Sequence, residues 1–243
     1  MNYHYDGTFF GFLTAVFDAY HDGIRHVAHI HSDAERSLFG QEKEVGTDAG
    51  KAVRVLQGLK ASCGKEAVHF LYYAFLAETA EREPVLLYYI RRLFTWRQTW
   101  RRHLSDELIW QTRLWAQKTG NERHKLLGLL RFQKLSDGML YGPVAPTAAV
   151  VPLLAPHFIR RFPEERWIIH DRRRGVGVLY EQHETAIVEI PCSRSPDLAA
   201  EELCWQSLWQ RYYRTAAIEE RRNELLRRSF MPYKYWPDLI EMK

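Results

Sequence analysis

Apolar residues recur at helical spacing through most of the chain, broken by short runs that alternate instead. Residues 2–5 alternate and then meet Asp6-Gly7-Thr8, a turn with an N-cap candidate at Asp6 or Thr8. Phe9, Phe10, Phe12, Leu13, Val16, Phe17 and Tyr20 follow at helix period, so a short strand leads into a buried helix. The run from His26 to His31 reads as a second short strand. Residues 48–63 and 65–82 predict amphipathic helices, with Val53, Leu56 and Leu59 and then Val68, Leu71, Tyr72 and Phe75 on the apolar sides. Pro84 opens the next helix, since proline is tolerated in a first turn, and its stripe runs Leu86, Ile90, Leu93, Trp96, Trp100. Another helix covers about 105–126.

Beyond that point the period changes. Residues 129–135 and 139–144 read as a hairpin about Ser136-Asp137-Gly138. A helix started or interrupted by prolines ends near Phe162. A second hairpin pairs 167–171 with 176–180 about Arg174-Gly175, and 185–190 forms a third strand or extends that hairpin. Asp197 or Ser195 caps a final long helix, and Pro232 and Pro237 halt the helical pattern in the tail. The fold class expected is α+β, with helices packed around a small antiparallel sheet built from two hairpins flanking a helix. Residues 1–243 read as a single domain. A sub-boundary near 125–128 would divide a mainly helical 1–126 from the hairpin–helix–hairpin and C-terminal helix of 127–243.

Composition adds little to this picture except in its rings. Hydrophobic content of 46% and charge content of 26% are ordinary for a globular chain, whereas 14% aromatic residues is rich. Three widely spaced cysteines, Cys63, Cys192 and Cys204, fit a reducing compartment, and no CxxC spacing suggests zinc or an iron–sulfur cluster. The first twenty residues carry no basic n-region and no small-residue cleavage site, and no apolar run reaches membrane length. A cytoplasmic protein with no membrane partner is expected.

Charge changes the picture more. The net formal charge is only +4, yet residues 91–134 hold eleven Lys/Arg against three Asp/Glu, interleaved with Phe94, Trp96, Trp100, Trp110 and Trp115. Residues 160–175 and 220–236 hold two further basic blocks. Guanidinium groups grip phosphate bidentately and stack on rings, so these blocks point to DNA, single-stranded or as damaged duplex. The candidate contacts are Arg97, Arg101, Arg160, Arg161, Arg172, Arg173, Arg174, Arg221, Arg222, Arg228, Lys234, Tyr235 and Trp236. Amphipathic helices with solvated basic faces explain the spacing equally well. Arg160 and Arg161 also suit a helix C-terminus, and Glu219, Glu220 and Glu224 partly neutralise the last block.

Catalytic signals are sparse. No GxSxG elbow, P-loop or dinucleotide fingerprint occurs, and no cofactor is expected. Asp171 and Glu181 are the candidates for a general acid or base, although Asp171 equally suits the first position of a hairpin turn. His29, His31 and Asp33 form the one metal-like group, for which packed or exposed strand histidines are the simpler explanation.

Four blocks, YDGTFFGFLTAVFDAY at 5–20, RFQKLSDGMLYGPVAP at 131–146, HFIRRFPEERWIIHDRRRG at 157–175 and WQRYYRTAAIEERRNELLRRSFMPYKYW at 209–236, carry a likeness that runs almost end to end. Through them the chain resembles a bacterial family described as DNA-metabolism or DNA-repair proteins and built on a domain of unknown function. Members of that family stand beside a radical-SAM protein resembling the spore photoproduct lyase group, and a similar domain is fused to uracil-DNA-glycosylase-like domains. The resemblance implies a DNA-binding protein of DNA repair or modification working with a radical-SAM partner. The alternatives are an enzyme acting on a damaged base, glycosylase- or nuclease-like, and a protein-interaction subunit without DNA affinity. PTAAVV at 146–151 departs from the family pattern by lacking the polar and histidine residues that the resemblance leads one to expect after the proline. The chain has neither the CxxxCxxC of a radical-SAM cluster nor glycosylase water-activating motifs.

Overall fold

The structure is a computed structural model describing residues 2–23, 29–32, 42–191, 196–218, 220 and 223–242. The chain divides into two compact units, Met1–Gly120 and Asn121–Lys243. Among the described residues no helix is long and apolar enough to cross a membrane.

The first unit starts with strand β1 (Asn2–Tyr5), helix α1 (Phe9–His21) and strands β2 (His29–Ser32) and β3 (Glu42–Glu44). The three strands form a parallel sheet in the order β2-β1-β3. The Asp6-Gly7-Thr8 turn works as its sequence suggests. Thr8 caps α1 by accepting from the Gly11 N–H, while Asp6 Oδ1 accepts from both the Thr8 N–H (3.0 Å) and its hydroxyl (2.7 Å). Thr47 donates to the other Asp6 oxygen, and a β-carbon on Gly11 would stand 2.1 Å from Asp6 Oδ1, so glycine is required there. Helices α2 (Ala49–Cys63), α3 (Lys65–Phe75) and α4 (Arg82–Trp96) follow, then a 3₁₀ turn over Arg97–His103. Helix α5 (Glu107–Leu129) passes from the first unit into the second. Arg82 and Glu83 are buried in this first unit. The Arg82 guanidinium donates to Glu83 Oε1 (2.7 Å), the Tyr5 hydroxyl (3.0 Å) and the Phe75 carbonyl (3.2 Å). Tyr5 in turn donates to Glu83 Oε1 at 2.7 Å.

The second unit holds a five-stranded sheet, β4 (Gln133–Lys134), β5 (Leu140–Val144), β6 (Trp167–Asp171), β7 (Val176–Glu181) and β8 (Glu184–Glu189), in chain order. This sheet is mixed, not the purely antiparallel one expected. β5 and β6 pair in parallel, with Leu140 opposite Trp167 and Val144 opposite Asp171. The cause lies in helix α6 (Val151–Arg161), which carries the chain back to the starting end of the sheet, as a crossover does and a tight turn cannot. The second expected hairpin is present as β6–β7, and residues 184–189 add an antiparallel edge strand. The first expected hairpin is shorter on its leading side, where residues 130–132 form no strand. α5 continues to Leu129, burying Leu126, with Leu130 buried just beyond it, so only two residues of β4 remain to pair with β5.

Strand alternation sends Trp167 and Ile169 of β6 and Val178 and Tyr180 of β7 into one core with Leu154 and Phe158 of α6. Trp167 and Tyr180 are register partners whose rings stack at 5.0 Å. Helices α7 (Ala200–Thr215) and α8 (Glu224–Phe230) complete the unit, with 3₁₀ turns at Tyr233–Asp238 and Ile240–Met242. No side chain caps α7. Asp197 instead accepts from the Ser136 hydroxyl (2.7 Å) and, through its carbonyl, from the Ser136 N–H (2.9 Å). Ser195 lies outside the described residues.

Candidate nucleic-acid interface

Helix α7 docks by its polar side. Glu202, Gln206 and Gln210, spaced four apart, face inward: buried Glu202 accepts from the Lys134 N–H (3.0 Å) and from Gln206 (2.9 Å), and Gln210 donates to the Ile240 carbonyl (3.0 Å). Leu208, on the side opposite these three, faces solvent with Trp205 and Tyr212 beside it, Trp205 65% and Tyr212 61% exposed. A surface helix ordinarily does the reverse, and an exposed apolar strip of this kind marks an interaction site. Trp209 is held between the two sides: its indole N–H donates to Glu241 Oε2 (3.1 Å), the Arg131 guanidinium lies 5.9 Å from its ring, and Tyr212 stands 5.7 Å away.

Beside this helix runs a groove of about 580 Å³, walled by Trp205 and Trp209 of α7, by Phe158 and Arg161 of α6, and by Phe132 and Phe162. The carboxylate that lines it, Glu202, is buried and bonded to the Lys134 N–H and the Gln206 amide, and a second lies beside the groove. Glu241 pairs with Arg131 at 2.7 Å. Burial alone would raise its pKa, but Arg131 and the Trp209 N–H outweigh burial and hold it below the ordinary value. Arg160 and Arg161 at the end of α6 are exposed, and no carboxylate among the described residues pairs with either. Their position complements the helix dipole, and both guanidinium groups remain open to an anion.

The other basic residues singled out in the sequence are deployed differently. Because α6 runs back along the sheet, Arg160 and Arg161 emerge where β6 begins and Arg172, Arg173 and Arg174 where it ends. One block in sequence is therefore two in space. Arg172 pairs with Asp238, and Arg174 pairs with Asp171 (2.7 Å) while also donating to the Thr147 carbonyl (2.7 Å). Arg173 reaches the same carbonyl at 3.2 Å. Lys234 bonds Glu122 and the Thr147 hydroxyl, buried Tyr235 donates to Glu122 (2.9 Å), and Trp236 donates to the Met231 carbonyl (2.8 Å). The 146–148 loop thus sits among cations of which Arg172, Arg174 and Lys234 face carboxylates and Arg173 faces a backbone carbonyl.

Arg228 pairs with Glu224 at 3.4 Å, and Arg221 and Arg222 lie outside the described residues. In the first unit Arg101 pairs with Glu66 (2.6 Å), and Arg97 is exposed at the end of α4 with φ +46°. Asp171 is buried and accepts from the N–H groups of Arg173 (3.0 Å) and Arg174 (3.2 Å), which fixes the β6–β7 turn. Exposed Glu181 pairs with Arg166 at 3.3 Å. His29 and His31 share one face of β2 with ring centroids 5.4 Å apart, and His4 stands 6.1 Å from His31, while Asp33 lies outside the described residues. Among the described residues no three His, Cys, Asp or Glu groups are placed to hold a metal ion.

The rings of α7 and the anchoring role of Glu122 escape a reading of charge blocks. The available signal was the Glu202-Gln206-Gln210 stripe, which fixes a helix face without saying which face turns inward. No curated protein and no solved structure matches the chain. A family model does match it over residues 80–241, and the chain belongs to that family, the domain of unknown function DUF4130.

Proposed function

We propose that the second unit binds DNA in single-stranded or locally unpaired form, laying bases on the rings of α7 and phosphates on Arg160 and Arg161. The observation that carries this reading is the coincidence of a solvent-facing ring strip with two arginines that no described carboxylate neutralises. Ring faces accept any base, and guanidinium groups track the backbone, so such a surface holds a strand without reading its sequence. A role in DNA repair or modification follows from the resemblance drawn above, with any chemistry on the strand left to a radical-SAM partner.

Fluorescence anisotropy with a labelled oligothymidylate tests the reading. Trp205→Ala is expected to weaken binding by about 1–3 kcal/mol, the usual worth of one base stacked on a ring. Arg161→Ala is expected to reduce the slope of log K against log salt by about 0.7, one phosphate contact on a single strand. Lack of any affinity at low salt overturns the proposal. If the chain is then captured by a radical-SAM protein, the protein-interaction alternative takes its place.

A further inference from the structure

The first unit holds an arginine that is fixed in place without a partner of opposite charge. Helix α4 turns Leu86, Tyr89, Ile90 and Leu93 into the core, so Tyr88, Arg92 and Trp96, spaced four apart, run along its flank. The Arg92 guanidinium lies 4.8 Å from the centre of the Tyr88 ring and 5.3 Å from that of Trp96, within cation–π range of both. Each ring is itself anchored. The Tyr88 hydroxyl donates to Asp106 Oδ2 (2.8 Å), and the other Asp106 oxygen accepts from the Leu108 and Ile109 N–H groups (3.2 Å each) at the start of α5. His103 lies flat on Trp96, with centroids 4.1 Å apart and planes 13° apart, which folds the end of the 3₁₀ turn back onto α4.

Arg92 is half-buried, and its Nε is buried without a hydrogen-bond partner. Among the described residues no carboxylate pairs with it. A guanidinium partly withdrawn from water with no acceptor for its N–H groups is costly, and an anion at the open end of its fork offsets that cost. An arginine kept only for solubility would extend into water instead. The charge around it has one sign, since residues 91–105 include Arg91, Arg97, Arg101 and Arg102 and no Asp or Glu. Arg101 pairs with Glu66, whereas Arg91, Arg97 and Arg102 are exposed and meet no described carboxylate. The rings here serve the cations: His103 covers Trp96, and Arg92 lies against both Tyr88 and Trp96. They are not laid open for bases as those of α7 are.

We infer that this flank of the first unit is a binding surface for the sugar–phosphate backbone of a nucleic-acid duplex, with Arg92 as a preset phosphate fork and Arg91, Arg97 and Arg102 as contacts around it. A duplex keeps its bases stacked inside and presents about one phosphate charge per 1.7 Å of axis, which matches open cations among occupied rings. The α7 surface belongs to the other unit and shares no residue with this one, so the inference goes beyond the single-strand reading and does not need it.

Fluorescence anisotropy on the full chain tests this, with a labelled blunt-ended DNA duplex and its RNA counterpart titrated across a salt series. At least one duplex is expected to bind at low salt. Arg92→Ala should reduce the slope of log K against log salt by about 0.9, one phosphate of a B-form duplex, and Arg102→Ala by a similar step. Arg92→Lys keeps the charge and loses the fork, so the slope should hold while affinity falls about tenfold. Trp205→Ala should leave duplex affinity unchanged. The inference is overturned if neither duplex binds, if Arg92→Ala leaves affinity and slope intact, or if Trp205→Ala removes duplex binding. It is also overturned if polyglutamate displaces the probe as well as unlabelled duplex does, which would assign the surface to an acidic protein. Lack of oligothymidylate binding alone ends the α7 reading, and lack of duplex binding alone ends this one.

Discussion

Glu122→Ala should destabilise the second unit by about 3 kcal/mol, because one carboxylate satisfies four donors. It accepts from the N–H groups of Thr147 (2.9 Å) and Ala148 (2.8 Å), from the Tyr235 hydroxyl (2.9 Å) and from the Lys234 ammonium, itself bonded to Thr147; the ammonium alone is substantially exposed. Removing the acceptor orphans buried donors at about 1–3 kcal/mol each, offset where water can reach them. The same residue gives a pH dependence. Burial alone would raise the Glu122 pKa, but its donors outweigh burial and set it below the ordinary value of 4.5. A carboxylate that stays ionised to lower pH in the folded state stabilises that state above its unfolded pKa, and the contribution fades as pH falls through the folded value. Urea unfolding followed by hydrogen exchange in α6 and β6 should therefore show stability falling below about pH 4.5. Glu122→Gln should flatten that fall. An alanine variant as stable as the parent would show that the loop does not depend on this anchor.

Glu83→Ala should cost more, about 3–5 kcal/mol, the usual penalty for stranding one member of a buried ion pair. Arg82 would keep the Phe75 carbonyl, the Tyr5 hydroxyl and the Phe75 ring 4.0 Å away, but no counter-charge, and the Tyr5 hydroxyl would lose its acceptor. Replacing Arg82 and Glu83 together by methionine and leucine should recover most of the loss, since a well-packed apolar pair often matches a buried salt bridge. Hydrogen-exchange protection in α4 reports both variants. Equal loss in the single and double variants would mean that packing, not stranded charge, dominates.

Local signals in the sequence were read well where one residue type has one physical use. Asp6-Gly7-Thr8 predicts a cap and makes one, Asp137-Gly138 predicts a turn, and Gly138 takes φ +83° in it. The helices α2, α4 and α5 follow from spacing within a few residues. Strand direction was not legible, because the length of α6 admits either a crossover or a detour between hairpins, and only tertiary packing chooses. Runs of arginine misled for a related reason. Guanidinium groups at 172 and 174 look free in sequence, yet Asp238 and Asp171 reach them, and the first of these is 66 residues away. The Glu122 anchor is longer still, 112 residues from Lys234. Glu202 gives no sign in sequence that it would be buried while Trp205 is not.

The inverted docking of α7 reverses the ordinary map of mutational tolerance along a helix. Leu203 and Leu208, which composition would assign to a core, can be exchanged for glutamine or lysine with little change in folding free energy. Glu202, Gln206 and Gln210, which look dispensable, are the positions where substitution loosens the helix from its bed. Drift toward a more soluble surface therefore costs this chain its exposed apolar strip before it costs the chain its fold.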